Sequence, residues 1–472
     1  MQTSTNIQTT TQNEAFELIS SKLENIIETA MVWDNEISLS GAAGTGKTYL
    51  TTKLVKKLKE KYHITITAPT HKALQVLRQN LIEDEIQNVE TKTIQSFLNI
   101  KLETDYDKGI QKFVPAKTKE KDDSKTDILI VDESSMVSGD IYDYIIKAIE
   151  NQRVKSVFFI GDEYQLLPID TKHTKIFNIR NRYKLDKIVR QAKDSYIITM
   201  ATKARNIIKS KQYISIKEFF ENAAFKHKVQ FINSVDEFYN DFCTPETWSK
   251  KDKVIASFTN KSIEQHNKEI RSRYWKAQNI LNPETLLKGD KVIFQEANII
   301  DGKIVHQNSD IVELSSATKV YYDALQIEFW DCKDLNGVPF KVIDPSSKGR
   351  FEMVLNKLAK SARFEKDYQE RSKKWKQFFD LKEVFVDVKY IYASTIHKLQ
   401  GSTYETVYID LRDIEKMSDK DMMYRLLYVA LTRASKDVKV LLPNNENEAL
   451  SQYQNSVLNS LDLEFKNLAI DL

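Results

Sequence analysis

The chain has 472 residues, 41% apolar and 10% aromatic, a length and composition that exceed one ordinary core and predict roughly two to four folded domains. Its 70 Lys and Arg against 67 Asp and Glu leave a net charge of +3, which excludes binding a polyanion through bulk charge; any nucleic-acid surface must come from local placement. Two cysteines, Cys243 and Cys332, exclude a disulfide framework and a cysteine zinc site and suit a reducing interior, and no apolar run approaches the ~20 residues of a membrane span.

In chain order, MQTSTNIQTTTQ has neither a basic n-region nor an apolar h-region and reads as a flexible lead-in over residues 1–12, not a signal peptide. EAFELISSKLENIIETA follows as an amphipathic helix. EISLS is a strand, and it runs into GAAGTGKT, which fits G-x-x-x-x-G-K-[ST] at every position before a helix from Lys47. Glycines at Gly41, Gly44 and Gly46 let the backbone around Thr45 turn its N–H groups into one concavity. The helix that follows adds its positive end. Lys47 brings a mobile charge for β- and γ-phosphates, and Thr48 a hydroxyl for Mg²⁺.

ITITAP is the next strand. It delivers Pro69, Thr70 and His71 to a helix start, where hydroxyls and helix N–H groups can take a phosphate. TKTIQSFL follows with Thr93 and Gln95. The segment Lys101–Lys125 is polar, charged and broken by Gly109 and Pro115, so it reads as an insertion on the rim of the sheet. Tyr106 and Phe113 fall at or near its expected hairpin tip. ILIVDES then buries a strand and releases Asp132 and Glu133 at its carboxyl end, where open α/β sheets bind ligands. Asp132 suits Mg²⁺ held through water, and Glu133 suits orienting and partly deprotonating an attacking water. In IGDEYQLLP another buried strand leads to Gln165, a neutral group able to touch both γ-phosphate and water. These three pieces already imply hydrolysis of a nucleoside triphosphate.

A second alternating block starts with KVIASFT and a helix whose first residues are Thr259, Asn260 and Lys261. Short β-like runs from about Leu287 to Val342 predict a small all-β insert, and a charged helical stretch follows it. Trp330, Phe340 and Trp375 are either a clamp or the insert's own core. Alternation resumes with FVDVKYIYAS read as one strand, ETVYID, the helix DMMYRLLYVAL and the strand DVKVLL. Ser394, Thr395, His397, Lys398 and Gly401 cluster after the first of these.

GAAGTGKT, APTHKAL, ILIVDES, GDEYQLLP, SFTNKSIEQHN, ASTIHKLQGST and LLYVALTRASKDV occur in the order of the superfamily 1 helicase motifs. From about Gln12 to Leu442 the chain resembles the 5′→3′ branch, superfamily 1B. The resemblance implies an α/β fold of two RecA-like parallel-sheet P-loop domains with ATP and Mg²⁺ between them. It assigns residues 13–90 and 126–200 to domain 1A, 91–125 to a pin insertion (1B), 201–300 and 384–472 to domain 2A, and 301–383 to an SH3-like insert (2B) with a charged helical extension. It adds Gln12, beside Phe16, as the adenine reader, Arg190 in KIVRQ as a γ-phosphate contact, Arg433 in LTRAS as an arginine finger, and Gly401 at the nucleotide. An arginine in either place makes physical sense, because a loose phosphoryl-transfer transition state spreads charge over three oxygens.

The resemblance further assigns Pro69, Thr70, His71, Thr93, Gln95, Thr259, Asn260, Lys261, Ser394, Thr395, His397 and Lys398 to single-stranded DNA, although a histidine is more usual at Gln95. Phe113 becomes the wedge at the fork. The implied partners are single-stranded and fork DNA and a single-strand-binding protein or replisome component, with no membrane, for a cytoplasmic monomer in a bacterium or phage-infected cell. Two other classes compete. A nucleotide kinase or GTPase has no need of STIHKLQGS or TRAS, and the chain lacks a guanine-reading NKxD segment. A binding-only protein has no need of intact Lys47, Asp132, Glu133, Gln165 and Arg433. A translocase that displaces proteins with little unwinding, and RNA as the track, stay open.

Overall fold

The structure is a computed structural model that describes residues 8–29, 34–105, 110–115, 125–168, 174–187, 195–222, 228–244, 252–300 and 303–442. Domain 1 contains β1 (Gln8–Thr10), α1 (Gln12–Glu28), β2 (Glu36–Gly41), α2 (Lys47–Leu58), β3 (Ile64–Ala68), α3 (His71–Glu83), β4 (Glu90–Thr93), α4 (Ile94–Leu98), β5 (Ile100–Asp105), β6 (Ile110–Pro115), β7 (Thr126–Val131), α5 (Gly139–Glu150), β8 (Val154–Gly161) and β9 (Asn181–Leu185). Its seven-stranded sheet runs β1-β9-β2-β8-β7-β3-β4 and every pairing is parallel. The central strands are buried on both faces: ILIV is apolar throughout, and the alternating ITITA is buried at every position, with Thr65 and Thr67 bonding Thr126 Oγ1 and Ile130 O inside the sheet. One core lies under α1, α2 and α3, and a second under α4 and α5. Because all strands are parallel, their carboxyl ends share one edge, and that edge carries GAAGTGKT, Thr70, Thr93, Asp132 and Asp162.

Domain 2 contains α6 (Tyr196–Ser210), α7 (Ile216–Phe220), β10 (Gln230–Ile232), α8 (Val235–Phe242), β11 (Lys253–Ser257) and α9 (Asn260–Ala277). An antiparallel module interrupts it: β12 (Lys291–Phe294), β13 (Asn298–Ile300), β14 (Lys303–His306), β15 (Ile311–Tyr322), β16 (Ile327–Asp334), β17 (Pro339–Ile343), α10 (Lys348–Arg363), α11 (Tyr368–Glu383) and β18 (Val388–Tyr390). The domain then closes with β19 (Ala393–Thr395), α12 (Ile396–Leu399), β20 (Tyr404–Asp410), α13 (Lys420–Thr432) and β21 (Ala434–Leu441). The domain sheet, β10-β21-β20-β11-β19, is again all parallel, while the module's β17-β16-β15-β12-β18 is antiparallel. Two parallel α/β sheets, each with its own core, match the two-domain expectation.

Several boundaries move. Residues 8–10 are not a flexible lead-in: β1 pairs in parallel with β9, and Thr11 caps α1 in a reciprocal capping box with Glu14. Residues 91–98 are not insertion, because β4 is an edge strand of the domain 1 sheet and Ile94, Phe97 and Leu98 are buried in its core. What leaves the sheet is the hairpin β5–β6. Phe113 does not stand at its tip: it lies opposite Leu102 in the register, near the base, half-buried against the core that holds Ile94 and Phe97. Tyr106 lies outside the described residues. Helix α6 packs with α13 in the core of domain 2, so that domain begins before residue 200. The β module is wider than 301–383, since β12 and β18 are its strands. FVDVKYIYAS is therefore not one strand; β18 closes the module and β19 joins the domain 2 sheet. Trp330 and Phe340 are buried in the module's core with Phe294 and Cys332, which decides them as core.

Candidate active site

The phosphate-binding turn follows the carboxyl end of β2. Gly44 and Gly46 take φ of 81° and 83°, the left-handed region that favours glycine. Gly41 tolerates no side chain, because a Cβ there would lie 2.5 Å from Thr45 Oγ1. Thr45 is buried and its hydroxyl donates to Ala42 O at 2.9 Å, pinning the turn. Lys47 Nζ donates to Gly41 O at 2.7 Å and Ala42 O at 3.1 Å, so the ammonium lies across the mouth of the loop. Thr48 is exposed in the first turn of α2. Gln12 reaches the same loop: its Nε2 donates to Thr45 O at 3.0 Å, and a Cβ at Gly46 would run into that amide. Phe16, one turn on, lies under Lys53 Nζ at 4.2 Å from the ring centroid.

Asp132 and Glu133 follow β7, which is separated from β2 by β8. Burial, together with the neighbouring Glu133 charge, pushes the Asp132 carboxyl above the ordinary range, and the Lys47 ammonium pulls it back. Glu133 sits at φ 47°, ψ 40°, a left-handed conformation that is costly for a side chain with a Cβ and that turns it out of the strand line. Ser134 and Ser135 are fully buried beside it, and neither hydroxyl has a partner. Gly161, at the end of β8, packs against that turn; a Cβ would meet Ser134 Oγ at 2.8 Å. A carboxylate pair, an exposed threonine, a lysine and orphaned hydroxyls on one turn form a donor set that fits a hydrated Mg²⁺–nucleotide.

Domain 2 closes the cleft. Arg433 is 6% exposed at the end of α13, and its guanidinium donates to Val429 O at 3.2 Å and Ser402 O at 3.1 Å. Burial lowers its pKa, and the charge of Glu133 in domain 1 is the largest influence opposing this, while the hydrogen bonds of the guanidinium are all to domain 2. Gln165 is buried, and Gln400 Nε2 approaches its Oε1 at 3.5 Å. Arg190 lies outside the described residues. Gly401, at φ 73°, packs on Ala73 of α3, where a Cβ would come within 3.3 Å of the Ala73 methyl, so its contact is to the other domain and not to the phosphate turn.

The DNA-track candidates stand at carboxyl ends of strands in both sheets, after β3 and β4 in domain 1 and after β11 and β19 in domain 2. Thr70, Thr93 and Thr259 each cap a helix, accepting from Ala73 N, Ser96 N and Ser262 N at 3.2 Å in each case. Thr395 is also an N-cap but its side chain makes no cap bond. Gln95 Nε2 reaches Pro69 O at 3.5 Å, which ties two of these clusters together. Asn260 and Lys261 are exposed in the first turn of α9, and Ser394 is half-buried at the end of β19. Thr259 Oγ1 also donates to Asp413 at 2.6 Å. Burial pushes His71 and His397 below the ordinary histidine value, Asp310 of the β module partly offsetting this at His71, so both rings favour the neutral form. Lys398 Nζ bonds Gln295 of the module.

Sequence reasoning missed the residues that join the domains. Tyr428 and Arg425 of α13 bond the loop Asp162–Gln165: the Tyr428 hydroxyl donates to Asp162 Oδ2 at 2.5 Å, and Arg425 Nη1 donates to Glu163 O and Gln165 O at 2.8 Å each. The Tyr164 ring lies between Lys184 Nζ of domain 1 at 5.2 Å and the Arg205 guanidinium of domain 2 at 4.8 Å. Lys72 Nζ donates to the Tyr404 hydroxyl at 3.0 Å across the same cleft. The available signal was polar residues set in the nearly all-buried helix α13. A separate shallow cavity of about 450 Å³, lined among others by Asp34, Glu36, Tyr142 and Asn181, sits at the amino ends of β2 and β9 and holds none of these residues.

The AAA domain family matches residues 24–171, and the UvrD-like helicase C-terminal domain matches residues 390–441. The ATP-dependent DNA helicase dda of Enterobacteria phage T4 is 25% identical over 447 residues, which cover 86% of this chain and 94% of that protein. The ATP-dependent DNA helicase Pif1 of Campylobacter jejuni is 24% identical over 446 residues, 87% of this chain and 88% of that one. Among solved structures, Bacteroides Pif1 in complex with ADP-AlF3 and ssDNA aligns over 92% of this chain and 97% of its own at 17% identity, with a TM-score of 0.46. Taken with the motif order and the paired parallel sheets, the two family matches and the relatives aligned over nearly their whole lengths place this chain among the superfamily 1B helicases.

Proposed function

We propose that the chain is an ATP-driven DNA helicase that tracks 5′→3′ on single-stranded DNA and displaces the complementary strand, working as a cytoplasmic monomer with a single-strand-binding protein or replisome component beside it. The observation that carries this reading is the docking of α13 on domain 1: the helix that ends at the buried Arg433 bonds residues 162–165 through Arg425 and Tyr428, beside Gln165 and at the strand-end edge that also holds Lys47 and Asp132. In that arrangement Gln12 reads the adenine, the Gly41–Thr48 turn and Lys47 hold the phosphates, and Thr48 with Asp132 holds Mg²⁺, which when bound neutralises phosphate charge. Glu133 takes a proton from the attacking water, Gln165 orients that water, and Arg433 with Arg190 stabilises the charge that develops. Closure completes the site and loss of phosphate opens it, so chemistry is tied to movement of one domain against the other.

The clusters at Thr70–His71 and Thr93–Gln95 on one domain, and at Thr259–Lys261 and Ser394–Lys398 on the other, would hold one strand by its backbone. Hydroxyls, amides and helix N-termini bind phosphate without reading sequence. A grip shared between domains turns each closure into a step. Strand displacement on duplexes with a 5′ or a 3′ single-stranded tail, with and without ATP, tests this: displacement should require ATP and a 5′ tail. Displacement from 3′ tails alone would overturn the polarity. ATP turnover and movement on single strands with no displacement from either tail would favour the protein-displacing translocase.

A further inference from the structure

The helices α10 and α11 form an arm on the β module. Phe351, Leu355, Leu381 and Phe385 fix its base on the sheet beside Ile327 and Phe329. Each helix has 16 residues, so the arm extends about 24 Å. Residues 348–383 hold 11 Lys and Arg against 6 Asp and Glu, a net +5. The whole chain nets +3, so everything outside the arm nets −2. The arm is thus a basic segment carried on the β module, although the stretch 172–217, with 13 Lys and Arg against 2 Asp and Glu, is more basic still.

Charge alone would describe a solvated helix pair. The exposed rings do not fit that description. Phe364 is 77% exposed and Tyr368 74% exposed, both at the elbow between the helices, and Phe379 is 41% exposed along α11. Beside them, Lys357 and Lys360 line a shallow groove of about 420 Å³ along α10 with Met353 and Asn356. Lys373 and Lys374 are neutralised by Glu370 and Glu365 at 2.7 and 2.5 Å, but no carboxylate among the described residues pairs with Lys357, Lys360 or Lys376. Unpaired lysines attract any phosphate backbone. Exposed rings add affinity only where bases are unpaired and can stack on them, which is the combination that holds single strands.

The strand on which the motor moves is accounted for by the clusters on the two sheets. Unwinding, if the helicase reading holds, releases one further single strand. We propose that the arm formed by α10 and α11 binds this displaced single strand, taking its phosphates on Lys357, Lys360 and Lys376 and stacking its bases on Phe364, Tyr368 and Phe379. Holding that strand away from the junction slows its re-annealing behind the fork.

The test compares the full chain with the variant Lys357→Gln, Lys360→Gln, Phe364→Ala, Tyr368→Ala. All four side chains are exposed, so the variant keeps its fold. Two forks carry the same 5′ loading tail; one also has a 3′ oligothymidine tail of about 15 nucleotides on the strand to be displaced. Affinity is read by fluorescence anisotropy without nucleotide turnover. The unaltered protein should bind the doubly tailed fork at least about fivefold tighter than the singly tailed one, and the variant should bind both alike. Its ATPase on a short single strand should be unchanged. A variant that keeps the preference, or loses affinity equally for both forks as a duplex-binding arm would, overturns the proposal. So does an unaltered protein with no preference. Failure of single strands to stimulate ATPase in the unaltered protein would instead sink the motor reading, and the anisotropy comparison does not depend on it.

Discussion

The Tyr428 hydroxyl of domain 2 donates to the buried carboxylate of Asp162 in domain 1 at 2.5 Å, across the cleft and directly beside Gln165. Burial and the Asp162 charge both push the tyrosine pKa far up, so the hydroxyl keeps its proton and stays a donor. A bond to a charged acceptor is worth about 1.5–3 kcal/mol, and here it ties domain 2 to domain 1. Tyr428→Phe keeps the ring packing and removes that bond. We expect DNA-stimulated kcat to fall about tenfold with KM for ATP nearly unchanged, measured by steady-state ATPase at saturating single-stranded DNA. A rise in KM at constant kcat would place Tyr428 in nucleotide binding instead.

Lys47→Ala removes the ammonium that lies across the phosphate turn, where it bonds Gly41 O and Ala42 O. The residues proposed for the DNA track stand on other strands and helices. ATP turnover should drop to background while single-stranded DNA affinity changes less than about threefold, since no phosphate contact of the DNA is lost. Turnover that survives the substitution would mean the turn does not hold the reacting phosphates.

What the sequence revealed follows from distance along the chain. GAAGTGKT was legible because the turn, the lysine and the helix start are contiguous, so one motif specifies the whole local geometry. ILIVDES was legible because four apolar residues can only bury a strand, and the acidic pair must then emerge at its end. The edge strand β4 was hidden, because ETKT has no apolar pattern and is held as a strand by its partner β3. The break in FVDVKYIYAS was hidden too: β-forming residues run on without a turn signal while the two halves join different sheets. Least legible were the contacts of Arg425 and Tyr428 with residues 162–165. They arise only from docking the domains, and no local periodicity encodes a partner some 260 positions away.

Phe113→Ala illustrates the difference. From sequence this ring stood at a hairpin tip as a wedge; in the fold it packs, half-buried, on the domain 1 core, while Tyr144 donates to its carbonyl at 3.2 Å. Truncation should therefore cost about 2 kcal/mol of domain stability, roughly half the value for a fully buried ring. ATPase and unwinding should decline together, in step with the fraction folded. Chemical denaturation alongside both assays checks this, and a selective loss of unwinding at unchanged stability would restore the wedge.

Asp410 gives the protein an acid-sensitive contact. Burial alone would raise its pKa, but hydrogen bonds from His266 Nε2 at 2.9 Å and from Arg412 at 2.7 and 2.9 Å outweigh that and hold it well below the ordinary carboxylate value. The Tyr239 hydroxyl meets the other ring nitrogen of His266 at 3.0 Å. A depressed folded-state pKa contributes stability that is fully present above about pH 4, where the unfolded carboxylate titrates, and is lost as pH falls toward the folded value. Asp410→Asn should therefore be less stable than the unaltered protein at pH 7, and the gap should begin to narrow as pH falls below about 4. Melting curves across pH 3–8 give the comparison, and parallel curves at all pH values would contradict it.

The central claim is that a side chain of domain 2 completes the hydrolytic site of domain 1. Its most direct measurement is single-turnover ATP hydrolysis, on saturating single-stranded DNA, by Arg433→Ala and Arg433→Lys proteins whose melting temperatures and ATP affinities have first been shown to match the unaltered chain. The predicted result is a fall in the hydrolysis rate of about 10³-fold or more for both variants. A rate within a few-fold of the unaltered protein would contradict it, because the chemistry would then be complete within domain 1 alone.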